Sequence, residues 1–591
     1  MKRWMLKQTK VKSEAMAKDL KIREATACIL GNRGISTYES AVSFLEGDLK
    51  SISNPFLMKD MKKGLEVIKA AIKMGKKIVV YGDYDVDGVM STTILYKALK
   101  LCGANRIYYI PHRQKEGYGL NKDAIVELSE MGVDVLFTCD NGIAAMEEIT
   151  LAKERGMSVV VLDHHEPGFE KTTEGVYYDI LPNADAIINP KQRDCTYPFP
   201  KLCAGGIAYQ FARVLLDFFA IKDEDAEKEF LALGAVATVC DIVELLEENR
   251  TIVKRGLEEL QKPINIGLRM LLEETNLLGQ NITEYHLGFV IGPCINASGR
   301  LESARMAVEL FCEEEEGKAR KYAKELIALN ADRKAMTMDA TQKAMAQVEE
   351  EEMISNRVLV LFQKEVHESI AGIVAGRIKD KYYRPTIVIT QGEEMAKGSA
   401  RSIDGYDVFQ ELFACRELFA RFGGHAMAAG LSLAYENIEI LRKRLNDSCT
   451  LTKEEMTPVL RLEKQLPFSE IDMDFAMEIK RLAPFGKGNP MPLFGSKNIN
   501  VERFSLIGKQ KNILRFHLVE KESNIHLSGI SFDGFEKFKS MIKELYGDEN
   551  CDIILNSGRF DGALDFVYTL EINTYRGSNT IQLNIKDFRV S

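Results

Sequence analysis

The sequence predicts an α/β protein of several domains that ends in a β-rich domain. Between residues 77 and 189, short apolar runs without polar alternation are separated by helical patterns, which is typical of a parallel sheet buried on both faces. From about residue 456 onward strand-like runs dominate, and they predict a small β-barrel or sandwich. With 591 residues the chain exceeds the size of one hydrophobic core, so about two to four domains are expected.

The composition excludes several classes of protein. Apolar residues make up 46% and charged residues 28% of the chain, which is typical of soluble globular proteins. No apolar run is long enough to span a bilayer, and the charged first residues, which lack an apolar stretch, are not expected to form a signal peptide. Eleven scattered cysteines favour a reducing cytoplasm over a disulfide framework. The net charge of −9 excludes an indiscriminate polyanion binder, so any contact with nucleic acid must lie in a local basic groove.

Polar side chains follow three strands of the predicted parallel sheet. These strands are "KIVVYG", "GVDVLFTC" and "MSVVVL", and the polar residues that follow them are Asp83, Asp85 and Asp87, then Asp140, then Asp163, His164 and His165. Because the carboxyl ends of parallel strands line the ligand crevice, these side chains predict a site at that edge of the sheet.

The rest of the chain is assigned by the same patterns. Residues 202–278 are predicted to be helical, with Asp241 after an apolar helix, and one long charged helix is predicted over 303–352. "RVLVLFQ", "RPTIVIT" and "AKGSARS" predict strands of a second, smaller α/β domain around the helix "ESIAGIVAGRIKDKYY". The strand-like runs of the last domain include "ILRFHLVE", "IHLSGISF", "CDIILNSGRF" and "TIQLNIKDFRV". The predicted domains are 1–302 with an N-terminal extension, the connecting helix 303–352, 353–455 and 456–591.

The clustered carboxylates favour a metal site. They cannot all stay ionised unless positive charge lies among them, and Asp and His are typical ligands of Mg²⁺ and Mn²⁺. Two metals about 3.5–4 Å apart can clamp a phosphoryl group. Taken singly, "DYDVDG" also fits an exposed turn and "TCDNG" an Asn-Gly turn, whereas an EF-hand lacks its closing Glu. His164 must be neutral to bind a metal, so metal affinity is expected to fall below a pH of about 6.5.

Ten motifs in order resemble one family. "GDYDVDG", "CDNG", "DHH" and "DIVELLEENR" resemble the motifs of the DHH phosphoesterase superfamily. "YYIPHRQKEGYGL", "NASGRL", "HESIAGIVAGRI", "GSARS", "RFGGHAMAAG" and "LAPFGKGNPMPLFG" are similar to its RecJ branch, the single-strand-specific 5′→3′ DNA exonucleases. The similarity covers essentially the whole chain. It implies a DHH phosphoesterase domain over 1–302, a DHH-associated domain over 353–455, and over 456–591 an OB-fold, which binds single strands.

The resemblance also implies a metal centre with two divalent cations, Mn²⁺ or Mg²⁺. The positions that match the family's metal-binding residues are Asp83, Asp85, Asp87, Asp140, His164 and Asp241. Asp140 would bridge the two metals, and His165 would face the phosphate. Pyrophosphatase-like members of the superfamily have a metal-binding His where this chain has Tyr81, and Asp83 is the natural substitute.

Further residues match positions that contact the DNA. Arg300, Ser399 and Arg401 would hold a 5′-phosphate, because guanidinium groups bind phosphate bidentately and strand alternation puts Ser399 and Arg401 on one side. His425, in a glycine-rich loop, would touch the scissile phosphate. The remaining predicted contacts are Arg113, Tyr118, Asn249 and Arg250, of which Asn249 and Arg250 would support Asp241. Tyr118 fits base stacking and core packing equally. The aromatics of the last domain are Phe504, Phe516, Phe532 and Tyr575, and most of them are expected in its core.

The implied function is a metal-dependent exonuclease that degrades single-stranded DNA to 5′-mononucleotides in repair and recombination. A single-strand-binding protein and a helicase are candidate partners, and no membrane is involved. One alternative is a phosphodiesterase for very short RNAs or cyclic dinucleotides, although such relatives usually lack the extra β-domain. The other is a binding scaffold with a lapsed site, although here all the acidic ligands are in place.

Overall fold

The computed structural model describes residues 2–8, 13–113, 115–171, 175, 177–575 and 578–591. The chain divides into two compact units. The barrel unit contains Met1–Ser51, Glu244–Arg250 and Val459–Ser591, and the two-sheet unit contains Ile52–Val243 and Thr251–Pro458. Within the described ranges, no helix is both long enough and apolar enough to cross a membrane.

The first half of the chain contains most of the helices. Its elements up to the end of the first sheet are β1 (Arg3–Leu6), α1 (Ser13–Leu20), α2 (Glu24–Asn32), α3 (Tyr38–Glu46), α4 (Met61–Lys73), β2 (Lys77–Tyr81), α5 (Val86–Leu101), β3 (Asn105–Tyr109), α6 (Lys122–Glu130), β4 (Val135–Cys139), α7 (Met146–Glu154), β5 (Ser158–Leu162), β6 (Gly168–Lys171), β7 (Tyr177–Ile180) and β8 (Ala186–Ile188). The helices that follow are α8 (Ala204–Phe218), α9 (Glu224–Cys240), α10 (Glu247–Glu259), α11 (Ile266–Glu274), α12 (Glu284–His286), a π-turn (Leu287–Ile291), α13 (Gly292–Leu301), α14 (Arg305–Cys312) and α15 (Glu316–Glu350).

The second half contains the remaining two sheets. The second sheet and its helices are β9 (Leu359–Phe362), α16 (Glu368–Tyr382), β10 (Thr386–Thr390), β11 (Ala396–Arg401), α17 (Val408–Phe413), β12 (Phe419–His425), β13 (Ala428–Leu433) and α18 (Asn437–Ser448). The last elements are β14 (Val459–Leu462), β15 (Lys464–Gln465), α19 (Met473–Arg481), β16 (Phe494–Ile507), β17 (Ile513–Glu520), β18 (Ile525–Ser531), α20 (Phe535–Tyr546), α21 (Asp548–Ser557), β19 (Ala563–Tyr575) and β20 (Ser578–Val590).

The first sheet is parallel throughout, which confirms the predicted fold of this region. Its strand order is β3-β2-β4-β5-β8. Every residue of β4 is buried, as are the last four residues of β2 and of β5, because helices cover both faces of the sheet. The carboxyl ends of β2, β4 and β5 therefore lie side by side at one edge, and they bring the predicted Asp and His residues together.

The helical region contains two helices where one was predicted over 303–352. Helix α14 ends at Cys312 and α15 begins at Glu316. Between them, the Glu313 carboxylate accepts hydrogen bonds from the backbone N–H groups of Glu314 and Glu315, both at 2.9 Å. A side chain that binds nearby backbone donors competes with the helical pattern, and it explains the break.

The second sheet has the order β12-β13-β11-β10-β9. Strands β9 and β10 are parallel, and the other pairs are antiparallel. Separate apolar clusters cover its two faces, one of them formed with α15 and α16. This sheet confirms the second, smaller α/β region.

The barrel unit contains a six-stranded sheet, β15-β16-β17-β18-β20-β19, in which β16 also pairs with β19 and closes the barrel. The closed barrel confirms the predicted C-terminal fold. The predicted strand "CDIILNSGRF" is wrong, because its residues lie in α21 and the loop that follows. Asp548 and Glu549 occupy the first turn of that helix, where acidic side chains are favourable, and Gly558 ends it in a left-handed conformation.

The N-terminal segment belongs to the barrel unit, whereas the sequence placed it in an extension of residues 1–302. Strand β1 pairs in parallel with β14. Ile29 and Phe44 share one buried core with barrel-unit residues such as Phe475 and Phe494. The segment therefore completes the core of the barrel unit.

Candidate active site

The acidic loop after β2 is fixed by the start of α5. Asp85 caps this helix and accepts the Gly88 N–H at 3.1 Å. A Cβ atom at Gly88 would lie 2.5 Å from the Asp83 carbonyl oxygen, so only glycine permits this approach. The buried Asp87 carboxylate accepts the N–H groups of Ala204 and Gly205 at 2.8 and 2.7 Å, from the first turn of α8.

His164 lies among three carboxylates that come from three different elements. Its Nε2 atom is 3.2 Å from Asp140 Oδ1 and 3.5 Å from Asp87 Oδ2, and its Nδ1 atom is 3.8 Å from Asp241 Oδ2. Asp140 follows β4 directly, with a φ angle of 64°. Asp241 follows the last residue of α9.

The ligand atoms fall into three overlapping groups, and within each group all of them lie within 4.8 Å of one another. The groups are Asp83–Asp85–Asp140, Asp87–His164–Asp241 and Asp140–His164–His165. Asp140 and His164 each belong to two groups. The structure thus brings together every predicted metal ligand.

The electrostatics of the cluster fit bound cations. Burial, and next the charge of Asp85, raise the pKa of Asp83 to about 8 and that of Asp87 to about 7. Burial, and next the charge of Asp87, raise the pKa of Asp241 to about 8 and that of Asp140 well above its ordinary value. The buried Oδ1 atom of Asp83 has no hydrogen-bond partner among the described residues. A hard divalent cation would satisfy this oxygen and keep the carboxylates ionised.

Asp163 is a residue of the site to which the sequence analysis assigned no role. Its Oδ1 atom accepts the N–H groups of His164 at 2.7 Å and of His165 at 3.1 Å, and it lies 2.7 Å from His165 Nδ1. Its Oδ2 atom accepts the Ile143 N–H at 2.9 Å. Burial raises the pKa of Asp163, but the hydrogen bond and charge of His165 outweigh burial and lower it overall. Its position directly before the two histidines is the sequence feature that could have indicated this role.

Tyr118 and His165 form the open side of the cluster. The Tyr118 hydroxyl donates to the Asp140 carbonyl oxygen at 3.2 Å and lies 3.2 Å from His165 Nε2. Tyr118 is 55% exposed, so it is not a core tyrosine. Burial lowers the pKa of His165, yet its hydrogen bond to Asp163 raises the pKa above the ordinary value.

Tyr81 lies outside the cluster. Its ring is fully buried and stacks on Tyr109 at 4.9 Å, and its hydroxyl donates to the Gly119 carbonyl at 3.2 Å. Tyr81 therefore offers no ligand, and the unpaired oxygen of Asp83 is the donor available on this side.

A cavity of about 250 Å³ opens beside the acidic loop. Tyr84, Arg113 and Tyr118 line it from the first sheet region, and Lys397 and Ser399 line it from β11. The Arg113 guanidinium lies 5.0 Å from the centroid of the Tyr84 ring. Both sets of residues belong to the two-sheet unit, so the cavity lies within one compact body.

Arg113 lines this cavity, and two further arginines lie next to its lining residues. Arg300 donates to the Ser369 carbonyl at 2.6 Å, and Arg401 lies against Gly372 of α16, on the same side of β11 as Ser399. Burial, and then the charges of Arg113, Arg333 and Arg401, lower the pKa of Arg300 to about 10. In the part of the chain that the structure describes, neither Arg300 nor Arg401 forms an ion pair with a carboxylate. The cluster therefore suits an anion, and Arg333 is the member that the sequence did not indicate.

Three predicted DNA contacts lie elsewhere. His425 is exposed at the end of β12, outside the lining of this cavity, and its contact with phosphate stays a prediction. The buried Arg250 guanidinium donates to the carbonyl oxygens of Phe44, Ala483 and Pro484 within the barrel unit. Asn249 is fully buried and donates to the Glu244 carbonyl. Their contact with DNA and their support of Asp241 stay predictions.

The barrel aromatics divide by exposure. Phe504 and Phe516 lie in the core, as expected for most of them, and Phe532 is 52% exposed. The side chain of Tyr575 lies outside the described residues.

Comparison with known proteins identifies the three regions. The family model "DHH family, N-terminal domain" matches residues 77–238, the DHHA1 domain matches 355–450, and the RecJ OB domain matches 462–587.

Individual proteins match over most of their length. The single-stranded-DNA-specific exonuclease RecJ of Bacillus subtilis is 36% identical, and the match covers 100% of this chain and 71% of that protein. A crystal structure of RecJ from Thermus thermophilus in complex with Mn²⁺ has a TM-score of 0.81 at 24% identity, covering 100% of this chain and 80% of that one. A structure of exonuclease RecJ bound to manganese has a TM-score of 0.58 at 29% identity, covering 67% of this chain and 96% of that one. The full-length match to the Bacillus subtilis protein and the three domain matches lead to one conclusion: the chain belongs to the RecJ family of single-stranded-DNA-specific exonucleases.

Proposed function

We propose that this protein is a divalent-metal-dependent exonuclease that removes 5′-mononucleotides from single-stranded DNA, beginning at the 5′ end. One observation carries the proposal: a buried cluster of carboxylates lies beside a cavity that Arg113 lines and that Arg300 and Arg401 flank. Tyr84 joins the two, because it lies between Asp83 and Asp85 in sequence and its ring faces Arg113. A phosphodiester and a terminal phosphate can be held next to each other there.

The metal centre would be divided between two groups of ligands. Asp83, Asp85 and Asp140 would hold one Mn²⁺ or Mg²⁺, and Asp87, His164 and Asp241 would hold the other. Bound cations of this kind stabilise charge on a phosphoryl oxygen and lower the pKa of a water molecule. Asp140 is the candidate bridge because its carboxylate reaches both groups.

The surrounding residues would position the scissile phosphate. His165, whose imidazole is oriented by Asp163 and whose pKa this hydrogen bond raises, would contact a phosphoryl oxygen. Tyr118 fixes the other side of the His165 ring at 3.2 Å, so the imidazole is held before the substrate arrives. His425 remains a second candidate contact with this phosphate.

The direction of digestion would come from the arginine cluster. A terminal 5′-phosphate carries more negative charge than an internal phosphodiester, and Arg113, Arg300, Arg401 and Ser399 would hold it by charge-assisted hydrogen bonds. An enzyme restricted to single strands depends on duplex opening, so a helicase and a single-strand-binding protein are the proposed partners. The eleven free cysteines support a cytoplasmic location.

The test is a comparison of substrates with purified protein and Mn²⁺ or Mg²⁺. We expect mononucleotides to accumulate from the first time point on a 5′-phosphorylated single strand, and little product from the matching blunt duplex. A cyclic dinucleotide should be a poor substrate. Preferred hydrolysis of the cyclic dinucleotide, or equal digestion of the duplex, would contradict the proposal.

A further inference from the structure

A continuous helical segment leads from the arginine cluster to an exposed aromatic pair. It consists of α12, the π-turn and α13, residues 284–301 of the two-sheet unit. The exposed Tyr285 and Phe289 and the half-buried Pro293, Asn296 and Arg300 recur every three or four positions, so they share one helical face.

Tyr285 and Phe289 are stacked on each other and open to solvent. Their ring centroids are 5.0 Å apart with an angle of 24° between the planes. Tyr285 is 60% and Phe289 66% exposed, whereas Leu287 and Ile291 on the opposite face are fully buried. The pair therefore adds little to the core, and it offers two flat apolar faces to a ligand.

The backbone under Phe289 is unusual. Leu287–Ile291 form a π-turn, and such turns are rare and are frequent at functional sites. The π-turn packs on the end of α9: the Cys240 thiol donates to the Leu287 carbonyl at 3.5 Å, one residue before Asp241. A Cβ atom at Gly292 would lie 2.6 Å from Cys240 Sγ, so this contact is close.

The same segment ends at the phosphate cavity. Arg300 lies eleven residues after Phe289, which corresponds to about 16 Å along a helix. A Cβ atom at Gly299 would lie 2.4 Å from the Tyr84 carbonyl oxygen, so the end of α13 is fixed on the acidic loop. The buried side of the segment is thus fixed at two points near the metal centre, next to Asp241 at the π-turn and on the acidic loop at Gly299, and its ends carry the aromatic pair and Arg300.

We propose that Tyr285 and Phe289 stack on bases of the single strand beyond the scissile phosphate, on its 3′ side. This inference rests on the proposed function. Bases fit this surface because every base has a flat face that stacks on an aromatic ring regardless of sequence. Continuity with Arg300 and Asp241 favours the substrate over a protein partner, because a strand whose 5′ end lies at Arg300 must leave along a surface that adjoins the metal centre.

The test compares substrates that reach the pair with one that does not. The variant is Tyr285→Ala with Phe289→Ala, and the substrates are a 5′-phosphorylated strand of about 20 nucleotides and a 5′-phosphorylated dinucleotide, with Mn²⁺. We expect kcat/KM on the long strand to fall about tenfold to hundredfold, since each stacked base contributes substantially to binding. Hydrolysis of the dinucleotide should stay within about twofold of the wild type. A matched control is Tyr38→Ala, which removes an aromatic side chain of similar exposure (51%) from α3 of the barrel unit and should leave both rates unchanged.

A second measurement separates stacking from apolar contact and from folding. The fluorescent base 2-aminopurine is placed at successive positions of the strand, and binding is measured in EDTA, where hydrolysis stops. The wild type should quench its fluorescence at one or two internal positions. Phe289→Leu should lose much of this quenching, and Phe289→Trp should retain it. Equal losses on both substrates, or normal quenching with Phe289→Leu, would overturn the inference and leave the pair as a structural element or a protein-binding surface. A wild type that digests neither substrate would instead refute the proposed function.

Discussion

Asp140 belongs to two ligand groups and adopts a left-handed backbone conformation that few non-glycine residues occupy. Its carboxylate lies among other carboxylates, and burial raises its pKa well above the ordinary value. At the residue scale, the position that reaches both proposed metal sites is thus also one where a buried carboxylate is costly to ionise.

Asp140→Ala should abolish hydrolysis and preserve the fold. In EDTA its Tm should rise by a few degrees, because the substitution removes a buried group that repels its neighbours. Activity assays and thermal unfolding with and without Mn²⁺ measure both effects. Asp332→Ala, at an exposed position on α15, is the control and should change neither. Substantial activity in Asp140→Ala would remove Asp140 from the metal centre.

The metal-free protein should lose stability as pH rises from about 4 to about 8. The pKa values of Asp83, Asp87 and Asp241 are about 8, 7 and 8 in the folded state, against about 3.9 in the unfolded state. In this range the folded state binds more protons, so its stability is fully present below pH 4 and is lost as these groups ionise. Thermal unfolding of the two-sheet unit in EDTA should therefore show a Tm that falls by several degrees, and saturating Mn²⁺ should reverse the trend. A Tm that rises with pH in EDTA would contradict the assignment.

The structure brings the predicted ligands together, and it shifts the expected pH dependence of metal binding from His164 to the carboxylates. Burial, and then the charge of His165, lower the pKa of His164 to about 3, so His164 is already neutral in mild acid. The protons that a metal must displace are those on the carboxylates. Motif spacing shows which residue types lie at strand ends. Their pKa values depend on burial, and burial depends on every element that covers them.

Arg401→Ala should reduce the preference for a 5′-phosphate. Each charge-assisted hydrogen bond contributes about 1.5–3 kcal/mol, so kcat/KM on 5′-phosphorylated strands should fall about tenfold to hundredfold. Strands with a 5′-hydroxyl should be affected far less, and the two rates should converge. The measurement is kcat/KM of the wild type and of Arg401→Ala on strands with a 5′-phosphate and on strands with a 5′-hydroxyl. Equal losses on the two substrates would indicate that Arg401 holds the general backbone or the fold.

At the scale of elements, the parallel strands were predictable and several boundaries were not. Strands β2, β4 and β5 are continuous apolar runs that end at polar residues, and this pattern is local. The break between α14 and α15 depends on one carboxylate, that of Glu313, which accepts two backbone N–H groups. Helix α21 is favoured by the acidic residues in its first turn and the glycine at its end, whereas its apolar residues also fit a strand. Arg250 lies in a motif of the metal-binding domain, yet it bonds to carbonyls that are distant in sequence.

Arg250→Ala should therefore affect stability rather than DNA binding. The guanidinium donates to three backbone carbonyls and lies 3.7 Å from the centroid of the Phe44 ring. Its removal should destabilise the barrel unit by roughly 3 kcal/mol or more. Denaturant unfolding measures this loss, with Arg255→Ala, which replaces a residue paired with Glu258 at the surface, as the control. Unchanged stability with weakened DNA binding would contradict this structural role and support the predicted contact of Arg250 with DNA.

At the scale of the whole molecule, the predicted boundary at residue 456 omits part of the barrel unit's core. Ile29, Leu30 and Phe44 share that core although several hundred residues separate them from the barrel, and no sequence pattern reveals such a contact. A fragment of residues 459–591 alone should therefore be poorly folded, with exposed apolar surface. Joining residues 1–51 to it through a flexible linker should restore a cooperative thermal transition. A cooperative transition in the shorter fragment would contradict the shared core.

The shared core also sets an order of events during synthesis. Roughly 400 residues separate the two main segments of the barrel unit, and ribosomes add about 5–20 residues per second. For about 20–80 s at that rate, helices α1–α3 are outside the ribosome without the partners that bury Ile29, Leu30 and Phe44. The nascent chain thus carries an apolar segment whose partners are made only when residues 459–591 are translated, and that interval is when chaperones would bind it.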